Sequence, residues 1–315
     1  PSEQGYEASI QETVSRNREA QLAAFFPQTT SEQSGGSIYW EARTLDSSGE
    51  LLNEFRDHLT EWSEISRNTL ALVLNAGEGL LLGEFLRRIS EENVYALVES
   101  SNEKKILGTL FHKTTTGTEA KIAVDSSGCP ASFEIADLRF ERIVGRNVLQ
   151  KHVDKSGFLE TLKPWISADG FFVFGETVPA LGQRLSDLIP EELLEPDFRK
   201  RLKAAEKEIY LDEENVRSSW TPSTLRDELK GANWNIIRWQ VKEYSIPTMI
   251  RTEQIEQWFP SHQDSPHSSY GQRLSAYFSP EQLNYLRETF LNEVAGKVVE
   301  WHSVNLFMQL KPKIK

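Results

Sequence analysis

The chain has 315 residues, enough to bury a large core in one large domain or two modest ones. A formal net charge of −12 disfavours the broad basic face that neutralises phosphates, so we expect no direct nucleic-acid binding. A single cysteine excludes an internal disulfide, and no apolar run approaches the roughly 20 residues that cross a bilayer. We therefore predict a globular cytoplasmic protein without a membrane partner.

Residues 1–48 form a polar segment that we interpret as a linker. Ser, Gln, Glu and Gly are abundant in it, and its one helical pattern lies at about residues 18–26. The sequence begins at Pro1 and not at an initiator methionine. We expect the chain to be a piece of a longer, multidomain protein, with a processed N-terminus as the alternative.

From residue 51 the chain alternates between helical and strand patterns. Apolar residues spaced as on one helix face predict a helix at 51–62. Residues 70–75 and 94–99 are short apolar runs, typical of strands that are buried on both faces. Helical spacing at 80–89 and 100–111 follows each of these runs. Such alternation is the signature of an α/β fold with a parallel sheet.

The rest of the chain contains more strands and, after Pro179, longer helices. One strand is expected within residues 121–136, where "KIAV" (121–124) and "ASFEIA" (131–136) compete for it. The remaining predicted strands are 140–149, 170–178, 235–244 and 298–310, and the predicted helices are 157–167, 198–209, 225–229, 252–258 and 280–296.

The stretch "LALVLNAGEGLLL" (70–82) has the features of a nucleotide-cofactor turn. A glycine at the end of a strand lets the backbone approach a ligand closely, and the helix N-terminus that follows favours polar or negative groups. An acidic residue about 20 residues further on can bind the two ribose hydroxyls. Gly77, Gly79 and Glu99 have this spacing. Leu81 replaces the third glycine of a dinucleotide motif, which disfavours NAD and FAD.

In these motifs the sequence resembles the class I S-adenosylmethionine-dependent methyltransferases. "NAGEGLL" (75–81) is similar to the first motif of that family, and "YALVESS" (95–101) to the second. "FERIVGRNVLQ" (140–150) resembles the fourth strand, and "LKPWISADGFFVFGETVP" (162–179) resembles the helix and fifth strand. The resemblance covers about residues 51–312. It implies a three-layer Rossmann-like methyltransferase fold with a mostly parallel seven-stranded sheet and an antiparallel last strand.

The same resemblance implies a domain at residues 49–315, with helical insertions at 179–232 and 245–297 that form a lid. Its cofactor would be S-adenosylmethionine. The resemblance places this cofactor against the turn residues Asn75, Ala76, Gly77 and Gly79, and it assigns the ribose to Glu99. Asn75 stands where the family has an acidic residue, and this departure, with Leu81, predicts weakened cofactor binding.

Four further residues are candidates for the same site. Asp125, or in its place Asp137, would contact the adenine amino group. Arg146 and Asn147 follow the fourth strand, where ligands of such sheets bind, so they are candidates for lying near the transferred methyl group. The alternative is that they form a solvent-facing loop pair. Positioning supplies much of the rate of methyl transfer, so no dedicated base is required.

A metal site is not predicted. His262, Asp264 and His267 match no zinc spacing and lie in a polar segment, so we interpret them as a loop. Cys129 has no neighbouring base in the sequence and is expected to be inert. The family's Asn/Asp-Pro-Pro-Tyr segment is missing after the fourth strand, so methylation of adenine or cytosine amino groups is not indicated.

A narrower resemblance concerns the segments 140–150, "ETVPALGQRLSDLI" (176–189) and "VEWHSVNLFMQL" (299–310). They resemble the methyltransferase-like domain that is fused to a bacterial AAA+ recombination ATPase of the RarA/MgsA type. This implies an upstream ATPase domain in the same chain and a role in DNA replication and recombination. The leading hypothesis is methyl transfer to an unnamed substrate. The alternative is a degenerate fold that serves as a protein-interaction or regulatory module.

Overall fold

A computed structural model describes residues 49–112, 121–125, 127–133, 138–212, 216, 218–260 and 269–313. The helices are α1 (Gly49–Trp62), α2 (Leu80–Arg88), α3 (Ser101–His112), α4 (Lys155–Leu162), α5 (Pro196–Leu211), α6 (Pro222–Gly231), α7 (Thr252–Trp258), α8 (Tyr270–Leu274) and α9 (Pro280–Glu293). The strands are β1 (Ala71–Leu74), β2 (Val94–Val98), β3 (Lys121–Val124), β4 (Phe140–Arg146), β5 (Ile166–Thr177), β6 (Trp234–Met249) and β7 (Val298–Pro312).

The described strands form one seven-stranded sheet in the order β3-β2-β1-β4-β5-β7-β6. Strands β1 to β5 pair in parallel, and β7 runs antiparallel to both β5 and β6. The α/β fold class predicted from the sequence is therefore confirmed. Between β1 and β4 the strand order reverses direction, and ligands of open α/β sheets bind in the crevice at such a point.

Helices cover both faces of the sheet, which explains the unbroken apolar runs of its central strands. Every residue of β1 and β2 is buried. On one face, β1, β4 and β5 share a core with α4 and α6. On the other face, the ring of Phe55 in α1 lies 4.9 Å from that of Phe307 in β7.

The structure decides between two competing strand segments, and it shortens one predicted strand and one predicted helix. "KIAV" forms β3, whereas residues 134–136 of its competitor "ASFEIA" lie outside the described residues. The strand predicted at 140–149 ends at Arg146, because Asn147 has a positive φ of 53° that breaks the extended backbone. The helix predicted to reach residue 167 ends at Leu162, since Pro164 lacks the N–H that would continue it.

The antiparallel pair of β6 and β7 is longer than predicted. Strand β6 continues to Met249 through Pro247, which an edge strand tolerates because a missing N–H there breaks no ladder of bonds. The predicted insertion at 245–297 therefore begins inside a strand. Strand β7 pairs with β5 only from Asn305 to Leu310, so the part of the β6–β7 pair that contains residues 298–304 of β7 extends beyond β5.

Helices α5, α7, α8 and α9 share a second apolar cluster with Trp301 of β7. The lid function predicted for these segments stays a prediction. The same holds for the division of the chain into a linker and a domain, because residues 1–48 lie outside the described residues. No helix in the described part of the chain is long and apolar enough to cross a membrane.

Candidate functional site

A cleft lies at the carboxyl ends of β1, β2 and β3 and against the turn that follows β4. Its cavity volume is about 30 Å³, and the space between its walls reaches about 330 Å³ only when the adjoining open solvent is included. Leu74, Leu97, Val98 and Val148 contribute apolar surface to its wall, and the polar residues of the wall are Asn75, Glu99, Asp125, Lys151 and His152. The structure thus brings three predicted cofactor-binding residues, Asn75, Glu99 and Asp125, to one cleft. Their contact with a cofactor stays a prediction.

The turn after β1 has a backbone that its sequence explains. Asn75 is left-handed, with φ 50° and ψ 46°, and asparagine is one of the few residues that adopts this conformation readily. Ala76–Glu78 then form one tight turn, and Gly79 is left-handed with φ 71° immediately before α2. The N–H of Gly79 donates to the carbonyl of Ala76 at 2.8 Å. The conformation itself thus favours asparagine at this position.

Gly77 lies against a carboxylate of the chain itself. A Cβ built on Gly77 would lie 2.7 Å from the carboxyl carbon of Glu103, so no larger residue fits without a shift. Glu103 stands in the first turn of α3 and accepts the N–H of Glu99 at 2.8 Å. Glu103 is not among the residues predicted from the sequence. Its signal is an acidic side chain in the first turn of the helix that follows β2, where the helix dipole favours it.

Lys151 connects two of the predicted cofactor residues. Its Nζ donates to Oδ1 of Asn75 at 2.8 Å and forms an ion pair with Oε1 of Glu99. The other end of the Asn75 carboxamide, Nδ2, donates to the carbonyl of Arg146 at 2.9 Å. A carboxamide both accepts and donates hydrogen bonds. The carboxylate that the resembling family has at the position of Asn75 would only accept them. Lys151 was not predicted from the sequence; it is a titratable residue in the turn Leu149–Lys151, which follows β4.

Arg146 and Asn147 are both buried, at 3% and 2% exposure, so they do not form a solvent-facing loop pair. The guanidinium of Arg146 forms an ion pair with Glu78, and its Cζ lies 5.0 Å from the centre of the Phe55 ring. Oδ1 of Asn147 accepts the N–H of Thr177 at 2.8 Å. Both side chains connect β4 to its neighbours. A place near a transferred methyl group stays a prediction for them.

Asp125 and His152 line the cleft from β3 and from the turn after β4. Oδ1 of Asp125 accepts the N–H of Ser127 at 2.8 Å, and the competing Asp137 lies outside the described residues. The His152 ring stacks on Phe158, with centroids 3.7 Å apart and planes at 10°. Burial lowers the pKa of His152, and the charge of Lys151 lowers it further, so the imidazole is neutral at neutral pH.

Glu176, a third residue that was not predicted from the sequence, anchors the turn that carries Lys151 and His152. This buried carboxyl group at the end of β5 accepts three backbone N–H groups, those of Val148 at 2.8 Å, Leu149 at 2.9 Å and Gln150 at 3.3 Å. Burial raises the pKa of Glu176 to about 7, although these hydrogen bonds act in the opposite direction. The turn after β4 is therefore fixed to β5 by the side chain of Glu176, in addition to that of Asn147.

Among the described residues, no group of three or more His, Cys, Asp or Glu side chains is arranged to hold a metal ion. His262, Asp264 and His267 lie outside those residues. Cys129 is half-buried and has a free thiol.

No protein-family model and no curated protein matches this sequence. Its fold matches that of a candidate methyltransferase of Bacillus halodurans, at 14% identity over 82% of this chain and 100% of that chain, with a TM-score of 0.50. Bacillus subtilis YcgJ matches at 12% identity over 84% and 100%, with a TM-score of 0.48.

A third solved structure is phosphoethanolamine N-methyltransferase 2 of Haemonchus contortus in complex with S-adenosyl-L-methionine. It matches at 13% identity over 85% of this chain and 54% of that chain, with a TM-score of 0.45. At such identities the first likeness shows a shared fold, the Rossmann-like methyltransferase fold, and nothing about activity. The comparisons add no support for a fused ATPase.

Proposed function

We propose that the cleft binds the adenosyl part of S-adenosylmethionine and that the chain is a methyltransferase-like domain. One observation carries this proposal: the carboxylates of Glu99 and Asp125 line a cleft beside the glycine turn, at the point where the strand order reverses. A carboxylate accepts the hydroxyl hydrogens of a ribose with its two oxygens. The fold shared with the candidate methyltransferase supports the same interpretation.

The chemistry of the residues that line the cleft suits an adenosyl group. Glu99 and Asp125 offer acceptors for hydroxyl and amino hydrogens, while Leu97, Val148 and the neutral ring of His152 offer apolar and aromatic surface to a flat base. When bound, S-adenosylmethionine would supply an electrophilic methyl group on its sulfonium. The part of the chain is to bind and orient, because an in-line displacement depends mainly on positioning.

Replacing Glu99 with alanine is expected to weaken the binding of S-adenosylmethionine and of its demethylated product by roughly tenfold or more. Such a loss is what removing hydrogen bonds to a charged acceptor causes, at about 1.5–3 kcal/mol each. Isothermal titration calorimetry of the 315-residue chain measures the effect. We expect the unchanged chain to bind with a dissociation constant below about 100 μM, a typical affinity for a small ligand in a partly open cleft.

Glu92→Ala is the matched control, since Glu92 is an exposed glutamate just before the amino end of the same strand, β2. It should bind both ligands as the unchanged chain does. No heat with either ligand at millimolar concentration would contradict the proposal. So would equal binding by Glu99→Ala and Glu92→Ala.

The second candidate function is a degenerate module for protein interaction or regulation. Two observations favour it, since Lys151 already holds Glu99 and the Glu103 carboxylate already lies against Gly77. A folded chain that binds neither ligand would support this candidate. The upstream ATPase and a role in DNA replication and recombination rest on the sequence likeness alone, and a phosphate-binding loop encoded upstream in the parent gene would support them.

A further inference from the structure

The ammonium group of Lys151 lies in the cleft, against the carboxylate of Glu99 that is proposed to bind the ribose. Nζ of Lys151 contacts Oε1 of Glu99 and lies 2.8 Å from Oδ1 of Asn75. The side chains of Lys151 and Glu99 are 18% and 33% exposed, so water reaches this ion pair only in part. An ion pair that is shielded in this way is weakened less by solvent than one on an open surface.

From this contact we infer that Lys151 is an internal occupant of the ribose subsite, and that it sets the affinity of the cleft for nucleosides. The inference rests on the proposed function. A diol that donates both hydroxyl hydrogens to one carboxylate uses both of its oxygens. Lys151 holds one oxygen of Glu99, so a nucleoside must displace the ammonium before it makes its full set of hydrogen bonds.

The displacement requires a side-chain movement and no opening of the backbone. Lys151 stands in the turn Leu149–Lys151, and the N–H groups of Val148, Leu149 and Gln150 are all bound by the buried carboxyl group of Glu176. The backbone under Lys151 is therefore held in place. Its four-carbon stem is flexible and can carry the ammonium away from Glu99. Lys151 consequently remains close to the cleft and competes with every ligand that needs Glu99.

The competition has a signature that a merely structural lysine would not produce. Adenosine is neutral, so its own contacts with the cleft depend little on ionic strength. If adenosine must first break the pair of Lys151 and Glu99, salt assists the exchange by screening that pair. The affinity for adenosine should then rise with salt, by less than an exposed ion pair would produce, because the pair is partly shielded.

The test is titration calorimetry of the whole chain with adenosine and with 2′-deoxyadenosine, at low and high salt. Lys151→Met keeps the length of the side chain and removes its charge. It is expected to bind adenosine about tenfold more tightly than the unchanged chain and to lose the dependence on salt. The gain should be much smaller for 2′-deoxyadenosine, which lacks one of the two hydroxyls. Lys104→Met, which removes an exposed lysine of α3, controls for the change in net charge.

Lys151→Gln is a second variant, for the case in which Lys151→Met does not fold. If the unchanged chain binds adenosine and the Lys151 variants bind it equally or more weakly, the inference is overturned while the proposed function stands. If the gain is as large for 2′-deoxyadenosine, the ammonium does not compete for the diol, and the inference is again overturned. If neither the unchanged chain nor the Lys151 variants bind a nucleoside, the inference and the proposed adenosyl site are overturned together.

Discussion

Arg146→Ala is expected to lower the free energy of unfolding by about 3 kcal/mol. The guanidinium is buried and forms an ion pair with Glu78, which is 28% exposed. Removing one partner of a buried pair leaves the other charge without compensation, which typically costs about 3–5 kcal/mol. Access of water to Glu78 reduces that cost, while the lost contact with the Phe55 ring increases it.

Urea denaturation of the two chains measures the difference. The matched control is Arg139→Ala, because Arg139 is an exposed arginine next to the amino end of β4. Its effect should stay within about 0.5 kcal/mol, as for most surface substitutions. If Arg146→Ala proves as stable as Arg139→Ala and loses S-adenosylmethionine binding instead, Arg146 is a ligand-binding residue and not a structural one.

The central strands could be predicted from the sequence because their burial is complete. Every residue of β1 and β2 is covered on both faces, which leaves a continuous apolar run in each strand. Parallel strands also have their carboxyl ends at one edge of the sheet. The residues that follow β1, β2 and β3, namely Asn75, Glu99 and Asp125, could therefore be expected to lie together, and they do.

The partners of these residues could not be predicted in the same way. Lys151 is 52 residues from Glu99 and 76 from Asn75 along the chain, and which of several nearby carboxylates a flexible lysine pairs with depends on packing. The burial of Arg146 likewise depends on α1, whose Phe55 packs beside it. The sequence shows that α1 is amphipathic, but it does not show which charged side chain this helix covers.

Glu176→Gln is expected to remove a strong dependence of stability on pH. Burial raises the pKa of Glu176 from its ordinary 4.5 to about 7 in the folded chain. Between those values the folded chain retains a proton that the unfolded chain has released, so the free energy of unfolding falls as the pH rises. The stabilisation is fully present below pH 4.5 and is lost above about pH 7. The pKa difference corresponds to about 3 kcal/mol.

Glutamine carries no titrating proton, so the unfolding free energy of the unchanged chain minus that of Glu176→Gln should fall by about 3 kcal/mol between pH 4.5 and 8. Urea denaturation across this range measures it, with the exposed Glu243→Gln on β6 as the control. The charged group that faces Glu176 is Lys155, and its attraction opposes the rise in pKa. A constant difference across the range would mean that Lys155 and the three N–H bonds offset the effect of burial, so that the pKa of Glu176 is the same in the folded and the unfolded chain.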